Sequence, residues 1–199
     1  MDSKITFYFK RTINYSDDQI ACCATEFAVA GDPQSLPRFA ALAPRVKVLA
    51  YRDVRTTREK DMLWMDWLEL QRYIVRSETG DMILDNAYPY LYLLDLTCPA
   101  CQNLIAHETS KRLPEYAGIY LDEAASYAYP NRYSATLPQS ILSGWRKGMS
   151  DALRKIKQLA PPDKVVVGNV GNLMRTLASC RQLDYAHDES TMGTLYDCK

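Results

Sequence analysis

Short apolar runs alternate with helical stretches along most of this chain, and that alternation limits the folds open to it. The runs fall at residues 5–9, 27–30, 46–51, 91–96, 118–121, 165–167 and 183–186. Several are continuously apolar, the pattern of strands buried on both faces. Helical signals lie between them. Ser16-Asp17-Asp18-Gln19 reads as a capping box, with Ser16 as the N-cap and Gln19 three positions on. Leu63, Trp67, Leu70 and Ile74 recur at helical spacing within a stretch from about residue 57 to residue 75. From 138 to 159, Ile141, Leu142, Trp145, Met149, Leu153 and Ile156 form one stripe, and Pro161-Pro162 ends it. Strands alternating with helices predict βαβ units and a parallel sheet. Right-handed crossovers wind such a sheet into a barrel or an open doubly wound layer.

The bulk composition narrows the function more by exclusion than by assertion. With 199 residues, 47% of them hydrophobic, the chain can bury a substantial core, and a single domain over 1–199 is expected. Lys and Arg (24) balance Asp and Glu (24), so no electrostatic footprint for nucleic acid or an anionic membrane exists. No apolar run reaches the length of a membrane span. The start, Met1 to Phe9, lacks the apolar stretch and cleavage site of a signal peptide. A soluble protein is expected, secreted if a signal was trimmed and cytoplasmic otherwise. Neither GxGxxG nor GxxxxGK[ST] occurs, which argues against a dinucleotide or triphosphate site. A GxSxG elbow is also missing. His107 and His187 are remote in sequence, and no zinc-like spacing accompanies them, so no metal or other cofactor is expected.

Chemistry in α/β proteins gathers at the carboxyl ends of parallel strands. Two apolar runs here end in acids. One is Gly118-Ile119-Tyr120-Leu121-Asp122-Glu123, followed by Tyr127, Tyr129 and Tyr133; the other is Leu183-Asp184-Tyr185-Ala186-His187-Asp188-Glu189. Glu123 turns to the opposite face if the strand continues, which gives it a structural role. Tyr51 and Asp53 end an earlier run, and Asn169 ends a later one. Asn169 suits a sugar hydroxyl or a turn before Gly171. The segment from 126 to 137 reads as a long loop over the site. A rival comes from another class: Cys98-Pro99-Ala100-Cys101 opens a helix after an apolar run, the setting of a thiol–disulfide pair. The six cysteines are otherwise scattered, and free thiols rather than a disulfide framework are expected.

The ordered segments carry a resemblance. Val46-Lys47-Val48-Leu49-Ala50-Tyr51, Leu93-Leu94-Asp95-Leu96-Thr97-Cys98-Pro99, Gly118 to Glu123 and Val166-Val167-Gly168-Asn169 together resemble the TIM-barrel glycosidases related to endo-α-1,4-polygalactosaminidase. The resemblance implies a (β/α) barrel and two essential acids, Asp122 and Glu189. It implies a polysaccharide substrate, with an amino-sugar polymer as the analogue. Tyr8, Tyr51, Asp53, Tyr127 and Asn169 are the expected substrate contacts, with Trp64 and Tyr129 as further stacking candidates. Thr97 is the expected N-cap of the helix at Pro99. A retaining mechanism is favoured, with carboxyls about 5–5.5 Å apart rather than about 6.5–9.5 Å. Only ten residues follow Glu189, and a full barrel takes eight strand–helix units and about 250 residues. The expectation is an incomplete barrel of six or seven strands, with open edges unless a partner chain closes it, or a non-catalytic carbohydrate-binding barrel.

Overall fold

The computed structural model describes residues 5–8, 15–23, 28–30, 33–59, 67–171, 180–188 and 194–197. Its centre is a ring of strands: β1 (Ile5–Tyr8), β2 (Ala28–Ala30), β3 (Lys47–Asp53), β6 (Gly118–Asp122), β7 (Val165–Asn169), β8 (Tyr185–Asp188) and β9 (Thr194–Asp197). Neighbours from β1 through β8 run parallel. The last strand runs antiparallel to both β8 and β1, and so closes the ring within the chain. With seven strands the ring is short of the eight of a full barrel, as expected, but both of its borders are paired by β9. A strand of reversed direction can do this because a two-sided edge accepts either direction of pairing.

Strand alternation sorts the side chains into an inside and an outside. Ala28, Leu49, Tyr120 and Val167 form a small cluster of their own, with Tyr51 and Tyr185 against it, and these fill the barrel. Val48, Ala50, Ile119, Leu121, Val166 and Ala186 point the other way into the main core beneath the helices. That outer layer includes α1 (Asp17–Cys22), α2 (Leu36–Leu42), α4 (Pro99–Ser110) and α5 (Gln139–Leu159).

The helices follow their local chemistry. The Ser16–Gln19 capping box is formed in both directions. Along α5, Ile141, Trp145, Met149, Leu153 and Ile156 are buried, and Trp145 Nε1 donates to the Ala125 carbonyl at 3.2 Å. Gly148 lies so close to the preceding crossover that a Cβ would sit 2.3 Å from the Leu96 carbonyl oxygen.

Three expectations change. The run at 91–96 is not a barrel strand: β5 (Tyr92–Leu93) pairs antiparallel with β4 (Thr56–Thr57) in a separate two-stranded sheet. Apolar runs that short do not distinguish a barrel strand from a buried hairpin leg. The helix expected over 57–75 begins as a strand at Thr56–Thr57 and is helical at α3 (Trp67–Leu70), with a 3-10 turn at Gln71–Tyr73; residues 60–66 lie outside the described part. The N-cap of α4 is Cys98, because Asp95 Oδ1 already engages both the amide and the hydroxyl of Thr97.

Candidate functional site

The register of the strands stacks inward residues into layers. Tyr51 pairs with Tyr120 and Asp53 with Asp122; Tyr120 pairs with Val167; Asn169 pairs with His187. The lower layer is apolar and aromatic. The layer at the carboxyl ends, Asp53, Asp122, Asn169 and His187, is entirely polar.

Asp122 accepts hydrogen bonds from residues of three different elements or loops. Tyr51 Oη donates to its Oδ2 at 2.7 Å, Asn169 Nδ2 donates to its Oδ1 at 2.8 Å, and the Glu123 amide donates to Oδ1 at 2.9 Å. Asn169 is itself oriented, since its Oδ1 accepts from the Gly171 amide at 3.0 Å. The turn before Gly171 expected of Asn169 is formed, and its amide nitrogen reaches Asp122. Burial and the neighbouring Asp122 and Asp53 carboxylates push the Tyr51 phenol up, so it stays a donor. Below, Tyr120 Oη and His187 Nδ1 are 2.7 Å apart in the barrel interior, and Tyr51 stacks on Tyr120 with centroids 6.3 Å apart.

Asp53 plays a different part. Its Oδ1 accepts from the amides of Arg55 and Thr56 at 2.9 Å, and its Oδ2 accepts from Thr56 Oγ1. These bonds build the turn between β3 and β4. Burial pushes the Asp53 carboxyl up to about 6; Arg55 and the Thr56 hydroxyl oppose that, and Asp122 and Glu123 reinforce it.

An ion cluster braces the layer from one side. Glu123 Oε1 meets Arg55 Nη2 at 2.9 Å and Arg132 Nη1 at 2.7 Å, while Arg132 Nε donates to Asp85 Oδ2 at 2.6 Å. Arg55 is 1% exposed and Asp85 0%. The Arg55 guanidinium also lies over the rings of Tyr129 and Tyr133. Glu123 and Tyr129 hold left-handed backbone, with φ of 56° and 48°, which non-glycine residues adopt only under external support. Arg55 touches both. Burial raises the Glu123 carboxyl against the pull of the two arginines.

Neither a protein-family model nor a curated protein sequence matches the chain. Solved structures do. The glycoside hydrolase domain of PelA from Pseudomonas aeruginosa matches with a TM-score of 0.59 at 14% identity, over 98% of this chain and 73% of that one. Ega3 from Aspergillus fumigatus, solved in complex with galactosamine, gives 0.55 at 8% identity, over 94% and 68%. The α-galactosidase TtGalA from Thermus thermophilus, solved with stachyose, gives 0.60 at 11% identity, over 94% and 44%. The fold is that of glycoside hydrolase barrels.

Among the expected site residues, this barrel brings Tyr51, Asp53, Asp122 and Asn169 together at one mouth. Tyr127 is exposed on the loop after β6 and packs edge-on against Tyr129, with centroids 5.0 Å apart. Glu189, Trp64 and the side chain of Tyr8 lie outside the described residues. Sequence reading passed over Tyr120 and His187, although each stands two positions before a residue it had placed inside. It also passed over Arg55, Asp85 and Arg132, which no local pattern sets apart. At the thiol pair, Cys98 is half-buried and Cys101 buried, and burial pushes the Cys101 thiol up, away from a reactive thiolate. Cys22, Cys98 and Cys101 are free thiols. Among the described residues no group of three or more His, Cys, Asp or Glu gathers as a metal site, and no helix is long and apolar enough to cross a membrane.

Proposed function

We propose that this chain is a glycoside hydrolase of a polysaccharide, with Asp122 as the nucleophile and Glu189 as the acid/base. The observation that carries the reading is the coordination of Asp122: three donors surround a carboxylate at the carboxyl end of an inward strand face. A carboxylate held as an acceptor by each of these partners suits attack on an anomeric carbon better than delivery of a proton. Oδ1 takes two of the hydrogen bonds and Oδ2 one, so Oδ2 keeps the freer lone pair and is the attacking atom.

In the first step Asp122 Oδ2 bonds to the anomeric carbon as the glycosidic C–O bond breaks, and Glu189 gives its proton to the departing oxygen. In the second, Glu189 takes a proton from water, whose oxygen displaces Asp122 and releases the sugar. Tyr51 and Asn169 fix the carboxylate rotamer through both steps, and Asp53 holds the turn beside it. The similarity to barrels named as glycoside hydrolases and galactosidases supports a sugar substrate, and the galactosamine bound to Ega3 supports an amino-sugar polymer.

The test is a turnover assay on α-1,4-linked galactosamine polymer alongside neutral polysaccharides. Asp122→Asn is expected to lower kcat on the order of 10³-fold or more while polymer binding persists. Unchanged kcat in that variant would remove Asp122 from the chemistry. Binding by both forms with turnover by neither would identify a non-catalytic carbohydrate-binding barrel.

A further inference from the structure

Two tyrosines stand apart from the chemistry above. Residues 86–90, Asn-Ala-Tyr-Pro-Tyr, are all exposed, with Tyr88 at 47% and Tyr90 at 55%. Their rings meet edge to face, with centroids 6.2 Å apart. Rings left in water while held in one arrangement are candidates for binding rather than for packing.

The turn that carries them is fixed. The Leu91 amide donates to the Tyr88 carbonyl at 2.8 Å, and Pro89 restricts the backbone between the rings. Asp85 Oδ1 accepts from the amides of Ala87 and Tyr88 at 2.8 and 3.2 Å. The same Asp85 is the buried acid that meets Arg132, and Arg132 meets Glu123, the residue after Asp122. Backbone bonds repeat the connection: the Asn86 amide donates to the Arg132 carbonyl at 2.8 Å and the Ser134 amide to the Leu84 carbonyl at 2.9 Å. The tyrosine turn is thus bonded to the loop that begins at Asp122 and carries exposed Tyr127.

We propose that Tyr88 and Tyr90 form a stacking platform for the pyranose rings of a polysaccharide chain, a subsite beyond the one at Asp122. The proposal rests on the carbohydrate reading above. A pyranose presents C–H groups on its faces and hydroxyls at its rim; tyrosine answers with a ring and a hydroxyl on a side chain of few rotors. A turn ordered before binding keeps the entropic cost of association low. Because the supporting charges are paired with one another, the platform recognises ring faces and hydroxyls rather than net charge.

The experiment measures binding by calorimetry in the Asp122→Asn background, where turnover is blocked. Tyr88→Ala and Tyr90→Ala are added together, and their thermal unfolding is matched to the parent. The probes are α-1,4-linked galactosamine polymer and its disaccharide. The expected result is about a tenfold loss of polymer affinity with disaccharide affinity unchanged. Unchanged polymer affinity, equal loss for both probes, or no binding of polymer by the parent overturns the platform. If the chain with Asp122 intact never turns polymer over, yet the double variant still loses polymer affinity, the platform stands and the hydrolase reading falls.

Discussion

Asp53 and Asp122 occupy one register position on neighbouring strands yet do opposite work. Asp122 collects donors from three separate parts of the chain, whereas Asp53 spends both oxygens on its own turn. Strand-end acids were legible in the sequence, because apolar runs that finish in Asp are conspicuous. Their division of labour was not, since it depends on which amides the next three residues turn back. The same limit explains why the bonds that Tyr51 and Asn169 make to Asp122 were not foreseen. Asp53 also carries a pH signature. Its folded carboxyl lies near 6, against 3.8 for an aspartate in open solvent, so the folded state holds the proton more tightly between those values. The stability contributed by this group is fully present below about pH 4 and is lost as pH rises through about 6. Melting temperature measured from pH 4 to 7 should therefore decline less steeply in Asp53→Asn than in the parent; parallel profiles would exclude Asp53 as the source.

At the scale of elements, the long helix α5 was the most legible part of the chain. Its stripe of Ile141, Trp145, Met149, Leu153 and Ile156 is the face it buries. What periodicity does not reveal is how near that face lies to other backbone. Gly148 is where the helix presses on the crossover before α4, with room for no Cβ beside the Leu96 carbonyl. Gly148→Ala gains about 1 kcal/mol of helix propensity but forces the helix off a backbone atom that no rotamer change can move. The clash is expected to win, with a net loss of about 1–3 kcal/mol in denaturant unfolding. A neutral or stabilising result would show that α5 can shift without cost. The 91–96 run illustrates the opposite failure. Leu93, Leu94 and Leu96 are as buried as a barrel strand's residues, but the partner of β5 is the short β4, and hydrophobicity alone does not name a partner.

For the whole molecule, the βαβ alternation predicted a parallel sheet and the family resemblance implied its closure into a barrel, while the antiparallel strand β9 went unread. The stretch 194–197, Thr-Leu-Tyr-Asp, is too short and mixed to announce itself, and its direction is set by the two edges it satisfies. Leu195 pairs with Ile5 on one side and His187 on the other. Leu195→Pro removes an amide from that junction and is expected to cost about 3 kcal/mol or more, seen as a lower melting temperature and as self-association in sedimentation. An unchanged melt and a monomeric profile would mean the ring does not depend on β9. The pairing of the first strand with the last also bears on how the protein is made. β1 leaves the ribosome long before the strand that completes its second edge exists. Until β9 emerges one border of β1 has no partner, so closure joins strands of large sequence separation. A nascent chain that has not yet made β9 therefore exposes strand borders of the kind chaperones shield.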